Sequence, residues 1–242
     1  MSQRGIQSVE VGGRLLIALA DAGRPLALKD LALAAGMSPP KAHPYLVSFG
    51  KLGLITQDAV AGHYGLGPLA MQLGLISLQQ FDPLHLASAR LPALALEVGQ
   101  TVAIAVWGNR GATIVRVEAS PSLVHVTMRH GTVMNLRGTA SGRLFAAHLP
   151  REQVRAADGK ARFDTAFVAE LAQVRESGLS HVADSAVVGV SALAAPVFDG
   201  SGAIVLGLTA IGPTASFDVA FDSVPAKALR RCAEALSAQL GA

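Results

Sequence analysis

Apolar residues recur at helical spacing through the first third of the chain, and at strand spacing beyond it. In SVEVGGRLLIALADA (8–22), Leu15, Leu16 and Leu19 fall on one helical face despite Gly12 and Gly13, and GRP at 23–25 ends the run. LKDLALAAG (28–36) repeats the pattern over a shorter helix, with Leu28, Leu31 and Ala32 on one side and Gly36 as a stop signal. A third stripe, Tyr45, Leu46 and Phe49, lies in GMSPPKAHPYLVSF (36–49), a stretch that also holds three prolines. LITQD (54–58) and HYGLG (63–67) are short extended runs around AVAG, which predicts a small hairpin. Three helices and a two-stranded wing are the layout of a winged helix-turn-helix. A small helical cap domain of no special function would give the same pattern.

LGPLAMQLGLISLQQF (66–81) contains no charged residue. A helix of this kind is expected to be buried, and at a domain junction that means burial against another subunit. Asp82-Pro83 then opens a helix, with Asp82 as N-cap and Pro83 at the first helical position, running to about Val98. Beyond it the period changes to two. TVAIAVWG (101–108) and ATIVRVEA (112–119) pair across NRG, and LVHVTMR (123–129) alternates like a third strand. Helices are expected over 139–150 and 163–178, a second hairpin over 191–199 and 203–212 around GSG, and a closing helix from about Pro225. An antiparallel sheet with helices around it gives an α+β fold. The expected division is 1–67 for the winged domain, 68–81 for a linker and dimerisation helix, and 82–242 for the domain with the sheet.

Composition narrows the class. Of 242 residues, 51% are apolar and 15% charged, with a formal net charge of +3. A packed core is affordable, and the charge is too small to predict nucleic-acid binding by itself. Within the first domain Arg4, Arg14, Arg24, Lys29, Lys41 and Lys51 are nearly offset by Glu10, Asp21, Asp30 and Asp58. Cys232 is the only cysteine, which excludes an internal disulfide and fits a reducing cytosol. The N-terminus has no secretory h-region, and the longest apolar runs, such as AIVLGLTAI (203–211), are too short to span a bilayer. The expectation is a cytoplasmic protein with no membrane partner.

Candidate chemistry is sparse. Gly189-Val190-Ser191 begins like a nucleophile elbow, but Leu193 stands where its last glycine belongs, and Ser141 has no His or Asp context. The seven histidines form no i, i+4 metal pair, and there is no Walker loop or dinucleotide fingerprint, so no metal, cofactor or catalysis is expected. Two small-residue loops remain, LRGTASG (136–142) and SAVVGVSALA (185–194). The first feeds a helix whose free N–H groups, with the Thr139 and Ser141 hydroxyls, would cradle a carboxylate. Turn formation and capping would explain the same residues. Trp107, Met128, Phe145 and Val190 would line an apolar wall of such a pocket, or simply pack in the core.

Together the segments resemble one family. S-x-x-x-A-H-x-Y-L (38–46), G-L-I-T (53–56), H-Y-x-L-G-P (63–68), G-x-T-V-x-x-A-V-W-G (99–108), T-A-S-G-R (139–143) and G-V-S-A-L-A-A-P-V-F-D (189–199) occur in the order found in IclR-type bacterial transcriptional regulators. The resemblance runs from about Ser8 to Leu240. It implies an N-terminal winged helix-turn-helix, a linker helix and a C-terminal GAF-like effector domain. It also implies a homodimer or homotetramer that binds double-stranded DNA at paired half-sites and answers to a small organic acid or aromatic catabolite, controlling a catabolic or metabolic operon. On this basis Ser38, Lys41, His43, Tyr45, Ser48 and Lys51 of the recognition helix, with His63 and Tyr64 of the wing (Thr56 to Tyr64), are assigned to DNA. Trp107, Met128, Arg137, Gly138, Thr139, Ala140, Ser141, Gly142, Gly189, Val190 and Ser191 are assigned to the effector.

Two departures from the family pattern matter. Arg137 and Gly138 stand where members often carry a His-Cys pair, so Arg137 is a candidate cation for an anionic effector and Gly138 would enlarge the pocket. Pro44 stands where members commonly carry arginine, and a proline inside a helix breaks a hydrogen bond and crowds the preceding turn. The expected remedy is a delayed helix start near Ala42, leaving Pro44 in the first turn. The rival readings are a sensor whose DNA reading has decayed, and a serine hydrolase.

Overall fold

The computed structural model describes residues 5–79, 82–119, 122 and 125–242. They form two compact units, Met1–Phe81 and Asp82–Ala242. Arg4 lies outside the described residues.

In the first unit, α1 (Gln7–Ala22) ends on Gly23, whose left-handed φ of 59° lets its N–H reach the Leu19 and Ala20 carbonyls. Next come α2 (Leu28–Ala34), α3 (Pro39–Lys51), and the antiparallel pair β1 (Ile55–Gln57) and β2 (Tyr64–Leu66). The Leu26 and Tyr64 backbones exchange both hydrogen bonds, at 2.9 and 2.8 Å, which ties the α1–α2 connection to the wing. Leu15, Leu19, Leu31, Ala42, Leu46 and Ile55 fill the core. Gly12 has a packing reason: a Cβ there would sit 2.8 Å from the Tyr45 ring and 3.0 Å from Phe49. Helix α4 (Pro68–Gln79) follows, with Met71, Leu73, Leu75 and Ile76 exposed. The burial expected of this helix is not supplied within its own unit.

The delayed start of the recognition helix is a correction. Helix α3 begins at Pro39, not Ala42, with Ser38 as N-cap and Pro39 and Pro40 at the first two positions. Those positions need no amide, and proline presets their φ, so the double proline starts the helix early. Pro44 is therefore interior and cannot donate to the Pro40 carbonyl. Both residues are exposed, which leaves that carbonyl open to solvent. Pro92 inside α5 (Asp82–Val98) is likewise on an exposed position. The helical span of α5 already includes Asp82, the residue expected to cap it.

The second unit carries one antiparallel sheet in the order β4-β3-β7-β6-β5. Its strands are β3 (Thr101–Gly108), β4 (Gly111–Glu118), β5 (Ser180–Ala183), β6 (Val190–Phe198) and β7 (Ile204–Pro213). One face packs on α5 and on α9 (Val224–Gln239), and the other on α6 (Ala140–His148), which in turn meets α8 (Thr165–Ser177). Ala103, Ala105, Ala192 and Ala194 face α6, and the alternation places Val102, Ile104, Leu193 and Leu208 on the opposite face. The expected third strand is corrected: residues 125–129 have no ladder, and Leu123 and Val124 lie outside the described residues. The neighbour of β3 is instead β7, while Val133 makes only an isolated bridge to Thr113. The sequence reading missed α7 (Arg151–Ala157) and β5.

Candidate functional site

On α3 the 3.6-residue period puts Lys41, Pro44, Ser48 and Lys51 on one stripe, all exposed, with His43 exposed beside it. Ser38 at the cap and His63 at the wing are also exposed. The Ser48 hydroxyl donates back to the Pro44 carbonyl at 3.0 Å. His43, Val47, Gly50, Thr56 and Gln57 edge a cleft of about 170 Å³ between helix and wing. Asp58 folds the wing tip by accepting the Val60 and Ala61 amides at 2.9 and 2.6 Å, and those bonds hold its carboxyl below the usual range.

Two residues assigned to DNA point elsewhere. Tyr64 is 8% exposed and belongs to the core, and Tyr45 is half-buried against Gly12. On α3 Tyr45 follows the exposed stripe by one residue, about 100° around the helix, which turns it toward α1.

The two small-residue loops of the second unit do come together. A Cβ on Gly138 would be 3.1 Å from Asn135 Oδ1 and 3.6 Å from the Ala186 Cβ. Asn135 shapes the first loop: its Oδ1 accepts the Arg137 and Gly138 amides at 3.1 and 2.7 Å, and its carbonyl accepts the Thr139 hydroxyl at 2.6 Å. Thr139 caps α6 by accepting the Gly142 amide at 3.1 Å. Gly142 is required sterically, since any Cβ would strike the Asn135 carbonyl and the Leu136 backbone. The amides of Ala140 and Ser141 have no partner among the described residues. Ser141 is fully buried and shares a hydrogen bond with Thr209 at 2.8 Å.

In the second loop, Gly189 adopts φ 82°, and its amide donates to Asp184 Oδ1 at 2.7 Å. The Thr214 hydroxyl donates to the same oxygen at 3.0 Å and meets the Ser191 hydroxyl at 2.9 Å. Thr214 gives its proton to Asp184, so it accepts the proton of Ser191. Neither Ser141 nor Ser191 faces a base that would make it a nucleophile. Val190 is half-buried at the start of β6. Trp107 packs on Phe145 with centroids 5.7 Å apart, and Met128 is half-buried against the same cluster.

Arg137 is corrected as a free cation. Its guanidinium grips Asp164 in a bidentate pair at 2.6 and 3.1 Å and lies 4.7 Å over the Phe167 ring. The hydrogen bond from Arg137 holds the Asp164 carboxyl low, and Asp164 raises Arg137 in return. Asp164 also caps α8 through the Phe167 amide at 2.9 Å. Asn135, Asp184, Thr209 and Thr214 went unread in the sequence. N-x-x-G at 135–138 was an Asx-turn signal for the first, whereas the others become partners only through sheet register. Among the described residues no group of three His, Cys, Asp or Glu side chains could hold a metal ion, and no helix is long and apolar enough to cross a membrane.

A winged helix-turn-helix followed by a sheet domain is the build of a DNA-binding regulator. The comparisons give the family. The IclR helix-turn-helix domain matches residues 8–59, and the bacterial transcriptional regulator IclR C-terminal domain matches 76–238. The chain belongs to the IclR family of bacterial transcriptional regulators. It is 28% identical to the glycerol operon regulatory protein of Streptomyces coelicolor, over 99% of this chain and 98% of that one. The crystal structure of Pseudomonas aeruginosa HmgR aligns at TM-score 0.77 and 36% identity, covering 98% of this chain and 100% of that chain. An IclR homolog of Microbacterium hydrocarbonoxydans complexed with 4-hydroxybenzoate shares the fold at TM-score 0.78 and 16% identity, covering 96% and 98%. The protein is a transcriptional regulator.

Proposed function

We propose that this regulator binds paired DNA half-sites as a cytoplasmic dimer, or dimer of dimers, and changes its DNA affinity when a small organic acid enters between loops 135–142 and 184–191. The observation that carries the reading is the close approach of Gly138 to Ala186, at the helix start where the Ala140 and Ser141 amides are unpartnered. Amides at a helix N-terminus favour a carboxylate, and Trp107 and Met128 offer apolar surface for its body. Arg137 is engaged with Asp164 and the Thr139 and Ser191 hydroxyls with protein partners, so the charge is met by the backbone dipoles of the helix start. The 4-hydroxybenzoate held by the Microbacterium homolog makes aromatic acids the first class to try. Dimerisation falls to α4, whose exposed Met71, Leu73, Leu75 and Ile76 favour a second copy. The DNA-facing set becomes Ser38, Lys41, His43, Ser48, Lys51 and His63.

The test is a DNA-affinity titration with a panel of aromatic and short aliphatic acids, on wild type and Gly138→Leu. At least one acid should shift the wild-type affinity fivefold or more, and Gly138→Leu should keep DNA binding while losing the shift. An unaltered response in Gly138→Leu would remove the effector from this loop pair.

A further inference from the structure

A cavity of about 430 Å³ lies in the sheet domain near the last turn of α6, where His148 meets the lining Phe198 and the lining Arg175 holds the Ala147 carbonyl. That volume is within the range of small-molecule pockets, about 300–1,000 Å³. It opens where β5 stops short: Ser180 pairs with Ala194, so β6 runs on through Pro196 and Phe198 paired with β7 on one edge and with no strand on the other. The end of α8 and one side of α9 wall the gap, bringing Arg175 and Arg230 to it from different elements.

Its chemistry centres on two guanidinium groups. Arg175 and Arg230 both line it, and His148, the last residue of α6, packs edge-on against the lining Phe198 with centroids 5.1 Å apart. Each guanidinium spends one nitrogen on a carbonyl, Arg175 on Ala147 at 2.8 Å and Arg230 on Ser177 at 3.2 Å, and neither makes an ion pair among the described residues. Glu176 and Glu234 at the rim balance their charge, which disfavours a multiply charged anion. Pro196, Phe198 and Ala233 supply an apolar floor.

We propose that this cavity is a second ligand site, distinct from the loop pair, that takes a small monocarboxylate with an apolar body, its carboxylate on Arg230 and Arg175. The test is equilibrium dialysis of the full chain with radiolabelled benzoate, counting sites per chain in wild type, Arg230→Gln, Arg230→Lys and Ala238→Trp. Ala238 is exposed at the rim, so its tryptophan fills the cavity without entering the core. Arg230→Gln and Ala238→Trp should each bind one benzoate fewer per chain than wild type, with Arg230→Lys intermediate in affinity. Gly138→Leu should remove a different site, so failure of the effector reading leaves this result unchanged. Equal counts in wild type, Arg230→Gln and Ala238→Trp would overturn the proposal. So would displacement of benzoate from this site by inorganic phosphate as effective as that by unlabelled benzoate, because the apolar floor would then contribute nothing.

Discussion

Pro44 and Gly142 show how single residues shape the two candidate sites. Pro44 sits between Lys41 and Lys51, which the helical rise separates by roughly 15 Å, and it leaves the middle of the exposed stripe without a donor. Replacing it with alanine restores one backbone hydrogen bond, and the first unit should gain up to about 3 kcal/mol in urea unfolding. Arginine at the same position would add a base or phosphate contact, worth roughly 1–3 kcal/mol of discrimination if it reaches guanine. Gly142 is the opposite case, since a methyl there meets fixed backbone. Gly142→Ala should cost about 3 kcal/mol or more and loosen loop 135–139, seen as a lower unfolding midpoint of the sheet domain. At this scale the sequence was legible where a residue acts through its own backbone. Thr139 read as a polar helix start and is the cap, and Pro44 read as a helix problem and is one. It was illegible where a partner is remote: nothing near Arg137 announces Asp164, 27 residues on.

Among the elements, those with an unambiguous period were readable and those set by their neighbours were not. The hairpin strands β3 and β4, β6 and β7, and the helices α1, α8 and α9 follow their apolar spacing closely. Strand β5 has only four residues and exists because β6 offers it an edge. Residues 125–129 alternate as a strand does, yet the edge of β4 is met by residues 131–134, whose backbone bonds to Ala112 and Ile114. Helix α6 depends on its cap, and Thr139→Ala should destabilise the sheet domain by about 1 kcal/mol. The last residue of α6 sets a pH response. Burial, then the Arg175 charge, pushes the His148 pKa below its ordinary 6.5. In the folded chain His148 stays neutral where the unfolded chain already binds a proton. Its contribution is therefore fully present above about pH 6.5 and is lost as pH falls through the lower folded value. His181 is depressed in the same direction, by burial and then by Arg143, and adds to the effect. His148→Gln should flatten, without abolishing, the loss of stability as pH falls below 6.5 in thermal melts.

For the whole molecule the account rests on two copies. The first unit offers few cations to DNA: Lys41 and Lys51 are those on the exposed stripe of α3. Useful DNA affinity then has to come from pairing two weak heads, each held to a half-site by a few phosphate contacts. Each phosphate neutralised lowers the slope of log affinity against log salt by about 0.9. Substituting Leu73 and Ile76 of α4 with glutamate should convert the protein to a monomer in sedimentation and abolish binding to paired sites while leaving the fold intact.

The most direct measurement is selection from a random double-stranded DNA library with the full-length protein, wild type beside Pro44→Arg, followed by a salt series on the enriched sequence. The account predicts that wild type enriches an inverted repeat whose half-sites lie one helical turn or a multiple apart, that affinity falls steeply with salt, and that Pro44→Arg binds the repeat more tightly. Enrichment by Pro44→Arg alone would contradict it and leave a sensor that no longer reads DNA.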